Sequence, residues 1–394
     1  MPNQLAKRIA NFPPYVFAGL EKRLADMLAA GKDIIRLDIG SPDQPPAPHI
    51  IQALHQSAQD PTHHGYAGFF GTPQLRQAIA DYYLRRFDVQ LDPKNEVLPL
   101  IGSKEGIFNL AWAYVDPGDV VLIPDPGYPT YTNGALLAGG EICPVPLDVR
   151  RGWLPDFSAL PPERVQRAKI LWLNYPNNPT TATASLEFFE QAVAFARAND
   201  ILLVHDNPYC EVCFDGYVAP SLLQVPGAKE IAVEFNSLSK SYNMGGWRIG
   251  MVVGKAEVVA ALSRLKTNID SGIFRAVQDA ATQALNGDQE WLSERNDVYA
   301  HRRDIVLKAL PAAGMSAQTP KSTIYVWAKI PSGCTSADFC NQLLEKTGVS
   351  LTPGPAFGTR SQLAARGEGY VRISLGQKTE RVAEAMERLK SFGG

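Results

Sequence analysis

The stretch IAVEFNSLSKSYNMGGWRIGMVV, residues 231–253, contains two apolar runs of strand type on either side of a polar turn. The first run is IAVEF (231–235) and the second is IGMVV (249–253). Short runs without polar alternation are typical of strands that are buried on both faces of a sheet. Lys240 lies on the turn between the runs, among hydroxyl side chains. A lysine at this place suggests a chemical role, although a solvated surface turn is the simpler alternative.

The same pattern extends over residues 95–255. The apolar runs of β type are VLPLI (97–101), VVLI (120–123), ICPV (142–145), ILWL (170–173), ILLV (201–204), IAVEF and IGMVV. Helix-type segments lie between several of them, such as LEFFEQAVAFARAND (186–200), which has apolar residues at the helical positions 186, 189, 193 and 196. This alternation predicts an α/β fold in which a mostly parallel, seven-stranded sheet is sandwiched by helices.

Composition changes along the chain predict its domain organisation. Residues 1–48 are rich in Pro and Gly and are expected to form an N-terminal arm and part of a small domain. The large, ligand-binding domain is expected at 49–286. Beyond it, helical patterns alternate with strand-like TIYVWAKI and GYVRISL, which predicts a small α+β domain at 287–394.

Bulk properties exclude several classes of protein. The chain has 394 residues, 45% of them hydrophobic and 20% charged, with a net charge of −2. This balance gives no reason to expect a nucleic-acid partner, and no apolar run reaches transmembrane length. The N-terminus lacks the apolar core of a signal peptide, so the default location is the cytoplasm.

Cys210 and Cys213 form the only C-x-x-C among the five cysteines. The pair could be a redox site or half of a metal site, or simply two small residues that enter a strand. Without a second pair of matching spacing, the sequence predicts no metal.

Polar residues follow several of the predicted strands, and ligands of such sheets bind beyond the carboxyl ends of the strands. Ser103 and Lys104 lie between glycines at the start of a helix, where free backbone N–H groups attract anions. Tyr128 could stack on a flat ligand, and Asn178 could present its amide. Asp206 ends a buried strand and needs a cationic or donor partner. Each residue also has a simpler structural explanation as part of a turn, a helix cap or a salt bridge.

Together these residues predict one ligand, pyridoxal 5′-phosphate. The flat ring would stack on Tyr128, its basic nitrogen would pair with Asp206, and its electrophilic carbon would react with Lys240. Tyr209 lies three residues after Asp206 and could reach the ring oxygen. The residues expected to bind the phosphate are Ser103, Ser237, Ser239 and Arg248.

Five motifs, in this order along the chain, resemble those of the class I and II aminotransferases, which are pyridoxal-phosphate enzymes of fold type I. The motifs are YAGFFGTPQLR (66–76), NNPT (177–180), DNPY (206–209), SLSK with GGWRIG (237–250) and YVRIS (370–374). The resemblance implies an aminotransferase that works by a ping-pong mechanism. One departure is Thr181, where the family often has glycine; it lies beyond the Asn that faces the ligand.

The resemblance also implies roles for individual residues. Lys240 would bind the cofactor covalently, Asp206 would hold the ring nitrogen, and Asn178 and Tyr209 would contact the ring oxygen. The Lys104 backbone would join the phosphate ligands. Tyr66 would reach the phosphate of a second subunit, which implies a homodimer with shared sites. Arg372 would bind the substrate α-carboxylate, beside Gly40 and Asn178.

Several segments resemble a subgroup, the shorter-chain bacterial LL-diaminopimelate aminotransferases; among them are AKRIANFPPYVFAGL, LIGSKEG and KTNIDSGIF. This subgroup moves the amino group of glutamate to tetrahydrodipicolinate in lysine biosynthesis, and Tyr15 would contact the substrate. Lys104, Asn268 and the arm are candidates for the distal carboxylate. Three alternatives stay open: an alanine or broad-specificity 2-oxoglutarate aminotransferase, a C–S lyase on the same scaffold, and a non-catalytic regulator that senses the cofactor.

Overall fold

The computed structural model describes residues 5–10, 12, 18–359 and 366–393. Its strands are β1 Ile35–Arg36, β2 Val97–Leu100, β3 Val120–Asp125, β4 Glu141–Asp148, β5 Leu154–Pro155, β6 Ala168–Leu173, β7 Leu202–Asp206, β8 Ala232–Ser237, β9 Gly250–Gly254, β10 Ser316–Ala317, β11 Tyr325–Lys329, β12 Val349–Ser350, β13 Thr352–Pro353 and β14 Tyr370–Ser374.

The α-helices are α1 Lys7–Ala10, α2 Ala18–Ala29, α3 Pro48–Gln59, α4 Pro73–Phe87, α5 Ser103–Tyr114, α6 Pro129–Ala138, α7 Pro162–Val165, α8 Leu186–Ala198, α9 Leu238–Ser241, α10 Ala256–Lys266, α11 Arg275–Asn286, α12 Trp291–Ala309, α13 Ser336–Thr347 and α14 Thr379–Gly393. Several begin at the residues that favour helix starts. For example, Thr72 accepts a hydrogen bond from the Leu75 backbone, and Pro73 follows it at the first helical position. Within the described residues, no helix is long and apolar enough to cross a membrane.

The large sheet has the strand order β2-β9-β8-β7-β6-β3-β4-β5. All seven predicted runs form strands of this sheet, and the prediction of a mostly parallel sheet is confirmed. The eighth strand, β5, has only two residues and pairs antiparallel with the edge strand β4. A strand of two residues has no detectable periodicity, so sequence patterns do not predict β5.

Alternating side chains of the strands pack into two separate clusters, one on each face of the large sheet. Leu171 and Leu203 point to the face that α4, α8 and α11 cover. Ile170 and Val204, their neighbours along the strands, point to the face that α5 and α10 cover. Both faces are therefore apolar, which explains why these strands lack polar alternation.

A further core forms around a four-stranded antiparallel sheet of order β10-β11-β14-β13, with α12, α13 and α14. β1 pairs in parallel with β12, so residues 35 and 36 of the expected N-terminal arm join this part of the molecule. The domain boundaries at 48/49 and 286/287 stay predictions.

The direction of the strands brings distant polar residues to one edge. β3, β6, β7 and β8 run in parallel, and β2 has the same direction because β9 runs antiparallel to both β2 and β8. The strands therefore end together, at Asp125, Leu173, Asp206, Ser237 and Leu100. This edge is where the functional site of such sheets is expected.

A cavity opens at this edge, and neither cysteine of the C-x-x-C lines it. Cys210 is fully buried, and its sulfur contacts the Tyr82 hydroxyl and the Asn236 amide. Burial raises the pKa of the Cys210 thiol to about 12. Cys213 donates to the Cys210 carbonyl. In the described part of the chain, no three His, Cys, Asp or Glu side chains cluster as metal ligands would.

Candidate active site

A cavity of about 390 Å³ opens at the carboxyl edge of the large sheet. Twelve of the fourteen predicted site residues line it: Gly40, Ser103, Lys104, Tyr128, Asn178, Asp206, Tyr209, Ser237, Ser239, Lys240, Arg248 and Arg372. The two others are Tyr66 and Tyr15. The Tyr66 side chain is 92% exposed and does not line this cavity, and Tyr15 lies outside the described residues.

Lys240 lies on the single turn of α9, directly after β8, and its Nζ donates to the Gly40 carbonyl at 2.6 Å. Burial, together with the positive charges of Arg372 and Arg248, lowers the pKa of Lys240 to about 8. About one tenth of the amine is therefore uncharged at pH 7, far more than for an ordinary lysine. An uncharged amine is both a nucleophile and a base, which are the two roles that a covalently bound cofactor requires of it.

Asp206 ends β7 at the floor of the cavity and is 4% exposed. Tyr131 donates to its Oδ2 at 2.6 Å, while Oδ1 is buried and has no hydrogen-bond partner in the described part of the chain. Burial raises the pKa of Asp206 to about 6. Tyr131 itself is held by stacking on Trp172, with ring centroids 4.5 Å apart. The carboxylate thus has one oxygen fixed and one free for a donor inside the cavity.

Asn178 is placed by Asn174, the first residue after β6. The Asn174 Nδ2 donates to the Asp206 carbonyl at 2.7 Å, and its Oδ1 accepts from the Asn178 backbone at 2.8 Å. Asn174 therefore ties the Asn-Pro loop to the end of β7. Further along this loop, Thr181 has a φ of 62°, in the left-handed region that favours glycine. This conformation accounts for the glycine that is common there in the family.

Arg372 comes from β14 of the smaller sheet and is 5% exposed. It donates to Asn178 Oδ1 at 2.9 Å and to the Asp38 carbonyl at 2.8 Å. Its guanidinium lies over the rings of Tyr325 and Phe357, 4.2 and 4.7 Å from their centroids. Its Nε is buried without a partner. Among the described residues Arg372 forms no ion pair with a carboxylate, so its oriented guanidinium suits a carboxylate ligand.

Tyr209 and Tyr325 meet at the same wall of the cavity, with their hydroxyl oxygens 3.2 Å apart. Gly40 leaves room for this pair, because a Cβ at that position would lie 1.8 Å from the Tyr325 hydroxyl oxygen. Any larger residue would displace the tyrosine. The predicted role of Gly40 beside the substrate is therefore accompanied by a steric requirement that the sequence did not reveal.

Positive groups gather at the other end of the cavity, around the start of α5. A Cβ at Gly102 would lie 2.4 Å from Arg248 Nη2, so the guanidinium reaches the helix N-terminus only because residue 102 is glycine. Burial and the charge of Arg248 lower the pKa of Lys104. Ser237 caps α9 by accepting from the Ser239 backbone at 3.2 Å. Two cations and two helix starts form a site for an anion such as phosphate.

Next to Asp206, buried polar groups of β7 and β8 form a hydrogen-bonded network. His205 Nδ1 and Glu234 Oε2 are 2.8 Å apart, and both side chains are fully buried. Glu234 also accepts from the hydroxyls of Tyr83 and Ser221. These donors, His205 above all, keep the pKa of Glu234 low despite its burial. The ends of β7 and β8 are therefore locked to each other.

The sequence did not reveal four residues that shape the cavity: Tyr131, Asn174, Tyr325 and Asp38. A signal existed for two of them. Tyr131 follows Tyr128 by three residues at the start of α6, so both lie on one helix face, and Asn174 directly follows an apolar run. Tyr325 and Asp38 arrive from other elements and had no local signal. Asn268, a candidate for the distal carboxylate, does not line the cavity and donates to the Arg264 carbonyl.

The cavity fits pyridoxal 5′-phosphate by its chemistry. An acceptor without a partner, Asp206 Oδ1, suits a protonated ring nitrogen. A lysine with a lowered pKa suits the electrophilic carbon, and the cationic end suits the phosphate. The ring nitrogen in particular would satisfy Asp206 Oδ1, whose burial without a donor is costly.

Comparison with known proteins agrees with this chemistry. Over 389 residues the chain is 52% identical to the LL-diaminopimelate aminotransferase of Desulforudis audaxviator, covering 99% of this chain and 98% of the relative. It is 51% identical to the enzyme of that name from Moorella thermoacetica over 391 residues, 99% of both chains.

Solved structures are similar over the whole length. Substrate-bound BacF from Bacillus subtilis is 35% identical, with a TM-score of 0.94 and coverage of 99% of this chain and 98% of that one. A single mutant of Thermus thermophilus aspartate aminotransferase is 29% identical, with a TM-score of 0.89 and 99% coverage of both chains. The family model for aminotransferase class I and II matches residues 32–389. The chain therefore belongs to the class I and II aminotransferases, which transfer amino groups with pyridoxal 5′-phosphate as cofactor.

Proposed function

We propose that this chain is an LL-diaminopimelate aminotransferase of lysine biosynthesis, which moves the amino group between glutamate and the oxo-acid precursor of LL-diaminopimelate. The observation that carries the proposal is its similarity to proteins of that name, 52% and 51% identical over 99% of this chain. A likeness of this extent includes every element that surrounds the cavity. We also propose that the protein acts in the cytoplasm.

The catalytic roles belong to the same proposal. Pyridoxal 5′-phosphate, when bound, supplies an electrophilic carbon and a ring that withdraws electrons from the substrate. Lys240 would hold it covalently and, as a free amine, would move the proton at the substrate Cα. Asp206 would keep the ring nitrogen protonated through Oδ1. Tyr209 and Asn178 would donate to the ring oxygen, and Tyr128 would stack on the ring.

Positively charged and hydrogen-bonding residues are proposed to bind the two anionic groups, the cofactor phosphate and the substrate α-carboxylate. The phosphate binds to Ser103, the Lys104 backbone, Ser237, Ser239 and Arg248. Arg372 binds the substrate α-carboxylate beside Gly40, with a guanidinium that Asn178 and two aromatic rings already orient. Because the orientation is fixed before binding, little conformational entropy is lost when the substrate arrives. We place Tyr15 near the substrate, as the family resemblance implies.

A homodimer with shared sites is a further part of the proposal. Tyr66 is 92% exposed, and Phe69, Phe70, Ile269 and Phe274 nearby are exposed as well. The two loops that carry them touch, since a Cβ at Gly272 would lie 2.1 Å from the Gly68 carbonyl oxygen. Exposed aromatic side chains in one patch are typical of an interface between subunits. In the dimer, Tyr66 reaches the phosphate in the partner's cavity.

The substrate is tested by single half-reactions of the purified, cofactor-loaded protein. LL-diaminopimelate, glutamate, alanine, aspartate and aromatic amino acids are added separately, and the visible absorbance of the bound cofactor is followed. We expect rapid conversion by LL-diaminopimelate and by glutamate, and slow conversion by alanine. A Lys240→Ala variant serves as the inactive control.

Two results would contradict the proposal. Fast conversion by alanine with none by LL-diaminopimelate would keep the family and move the function to alanine metabolism. Release of pyruvate and a thiol from cystathionine, without any oxo-acid acceptor, would identify a C–S lyase.

A further inference from the structure

Among the described residues, three acidic side chains line the cavity: Glu21, Asp38 and Asp206. Asp206 lies at its floor and has one carboxylate oxygen fixed by Tyr131. Asp38 is buried, and Arg36 donates to both of its oxygens, at 2.9 and 2.7 Å. Glu21 differs from both, because its side chain is 55% exposed while it lines the cavity. Of these three carboxylates, Glu21 is the one that is largely exposed to solvent at the cavity.

Glu21 lies on α2, and Arg36 holds its carboxylate in place. Arg36 donates to Glu21 Oε1 at 2.5 Å and to Oε2 at 3.1 Å, besides its two bonds to Asp38. One guanidinium between two carboxylates leaves this cluster with a net charge of −1. Lys104, Arg248 and Arg372, in contrast, make the rest of the lining positive. The cavity therefore offers an ordered negative group on the side formed by the N-terminal segment.

A second observation shows that this cavity is built for a ligand with both charges. Asp206 Oδ1 and Arg372 Nε are buried in its lining and have no hydrogen-bond partner. Buried polar atoms of this kind are costly unless a ligand satisfies them. Asp206 Oδ1 suits the cofactor ring nitrogen and Arg372 suits a substrate carboxylate, and Glu21 belongs to the same lining, so a substrate held by Arg372 lies within the cavity that Glu21 borders.

We propose that the Glu21 carboxylate binds the second, non-reacting ammonium group of a diamino diacid substrate and selects such substrates over monoamino diacids. The inference rests on the proposed function, for LL-diaminopimelate carries an amino-acid group at each end. Arg372 would bind the α-carboxylate at the reacting end. The ammonium group at the other end requires an anion. Glutamate has no second ammonium, so the two halves of the ping-pong reaction depend on Glu21 to different extents.

The test compares Glu21→Gln with Glu345→Gln in the full, cofactor-loaded protein. Glu345 is a matched control. It pairs at 2.6 Å with Arg23, which lies on the same helix as Glu21. Its side chain is 64% exposed and lies outside the cavity. Both variants remove one ion pair that fixes α2. The substrates are LL-diaminopimelate, L-2-aminopimelate, which has the same chain and distal carboxylate but no second amine, and glutamate.

We expect Glu21→Gln to raise the KM for LL-diaminopimelate about tenfold, the order expected for one charge-assisted hydrogen bond at a partly exposed position. The KM for L-2-aminopimelate and for glutamate should stay within about twofold of the parent, as should all three values in Glu345→Gln. The preference of the parent for LL-diaminopimelate over L-2-aminopimelate should disappear in Glu21→Gln.

The outcomes distinguish an error in the proposed function from an error in the proposed role of Glu21. If the parent protein does not convert LL-diaminopimelate, the proposed function is wrong. If the parent converts it and Glu21→Gln leaves its KM unchanged, or raises all three KM values together, Glu21 does not read the second ammonium. An equal effect of Glu345→Gln would mean that the helix, not the carboxylate, matters.

Discussion

Asp206 is kept in a state that is unfavourable until a ligand binds. Its position on a strand covered on both faces removes water, and its second oxygen has no donor. Tyr131 stabilises the charged form, yet burial outweighs this bond and the pKa rises to about 6. Such a residue lowers the stability of the cofactor-free protein and strengthens cofactor binding by the same interaction.

Asp206→Asn is expected to stabilise the cofactor-free protein at pH 8 by about 3 kcal/mol, since burial raises the pKa of Asp206 to about 6 and each pKa unit corresponds to about 1.4 kcal/mol. The folded-state pKa lies above the unfolded value, so the penalty of Asp206 is absent below pH 4 and complete above pH 6. The gain should therefore shrink as pH falls from 7 to 4. Denaturant titrations at several pH values measure it.

Asp125→Asn is the matched control for this prediction. Asp125 also ends a parallel strand, is 1% exposed, and has one oxygen without a partner, but it does not line the cavity. Burial likewise raises its pKa. Both variants should stabilise the cofactor-free protein, while only Asp206→Asn should weaken cofactor binding, by about tenfold or more. Unchanged cofactor affinity in Asp206→Asn would exclude it as the partner of the ring nitrogen.

At the scale of elements, α12 links the lysine segment to the smaller sheet. Arg295 of this helix is 2% exposed and donates to the carbonyls of Lys240, Ser241 and Glu211. Burial lowers its pKa. Two turns along the same helix, Arg303 is also buried and bonds to Asp215 and to the Pro320 carbonyl. The helix is thus fastened to its surroundings by arginines at both ends.

Arg295→Met should lower the free energy of unfolding by about 2–4 kcal/mol, because it removes the donor to three carbonyls. Arg303→Met should lower it by about 1–3 kcal/mol, because its buried acceptor is the Pro320 carbonyl while Asp215 is partly exposed. Only Arg295→Met should also slow the conversion of amino acids, since it releases the backbone of Lys240. Denaturant unfolding and single half-reactions measure the two effects. If positioning of Lys240 matters, Arg295→Lys should restore part of the rate. Equal rates in Arg295→Met and Arg303→Met would show that Arg295 stabilises the fold without positioning Lys240.

At the scale of the molecule, the cavity exists only where separate parts meet. The large sheet supplies the lysine, the aspartate and the anion end, while β14 supplies Arg372 and the segment at Gly40 closes one wall. Arg372 itself joins these parts by bonding to Asn178 and to the Asp38 carbonyl. A relative shift of the two cores would therefore change substrate binding before it changed cofactor binding.

The proposed shared sites predict complementation between two inactive variants. Lys240→Ala lacks the catalytic amine and Tyr66→Ala lacks the tyrosine given to the partner. Mixed and refolded or co-expressed in equal amounts, they should regain about one quarter of the parent activity, because half of the dimers are hybrids and each hybrid has one intact site. Activity of the mixture no greater than that of Tyr66→Ala alone would show that sites are not shared.

The sequence by itself determined the sheet and most of the cavity. Seven apolar runs predicted seven strands, because burial on both faces leaves a pattern that is local, and the polar residues at the strand ends follow from the parallel direction. Ten predicted site residues line one cavity for this reason, while Gly40 and Arg372, which also line it, were expected from the family resemblance. The two-residue strand β5 had no such pattern.

Only the tertiary structure decided which residues orient or restrict the site residues that the sequence predicted. Tyr325 limits residue 40 to glycine, Tyr131 leaves one oxygen of Asp206 free, and Arg295 holds the backbone of Lys240. These partners are 75 or more residues apart in the chain, except for Lys240 and Arg295, which are 55 apart. Contacts over such separations depend on how whole elements pack, and no local period or motif records that packing.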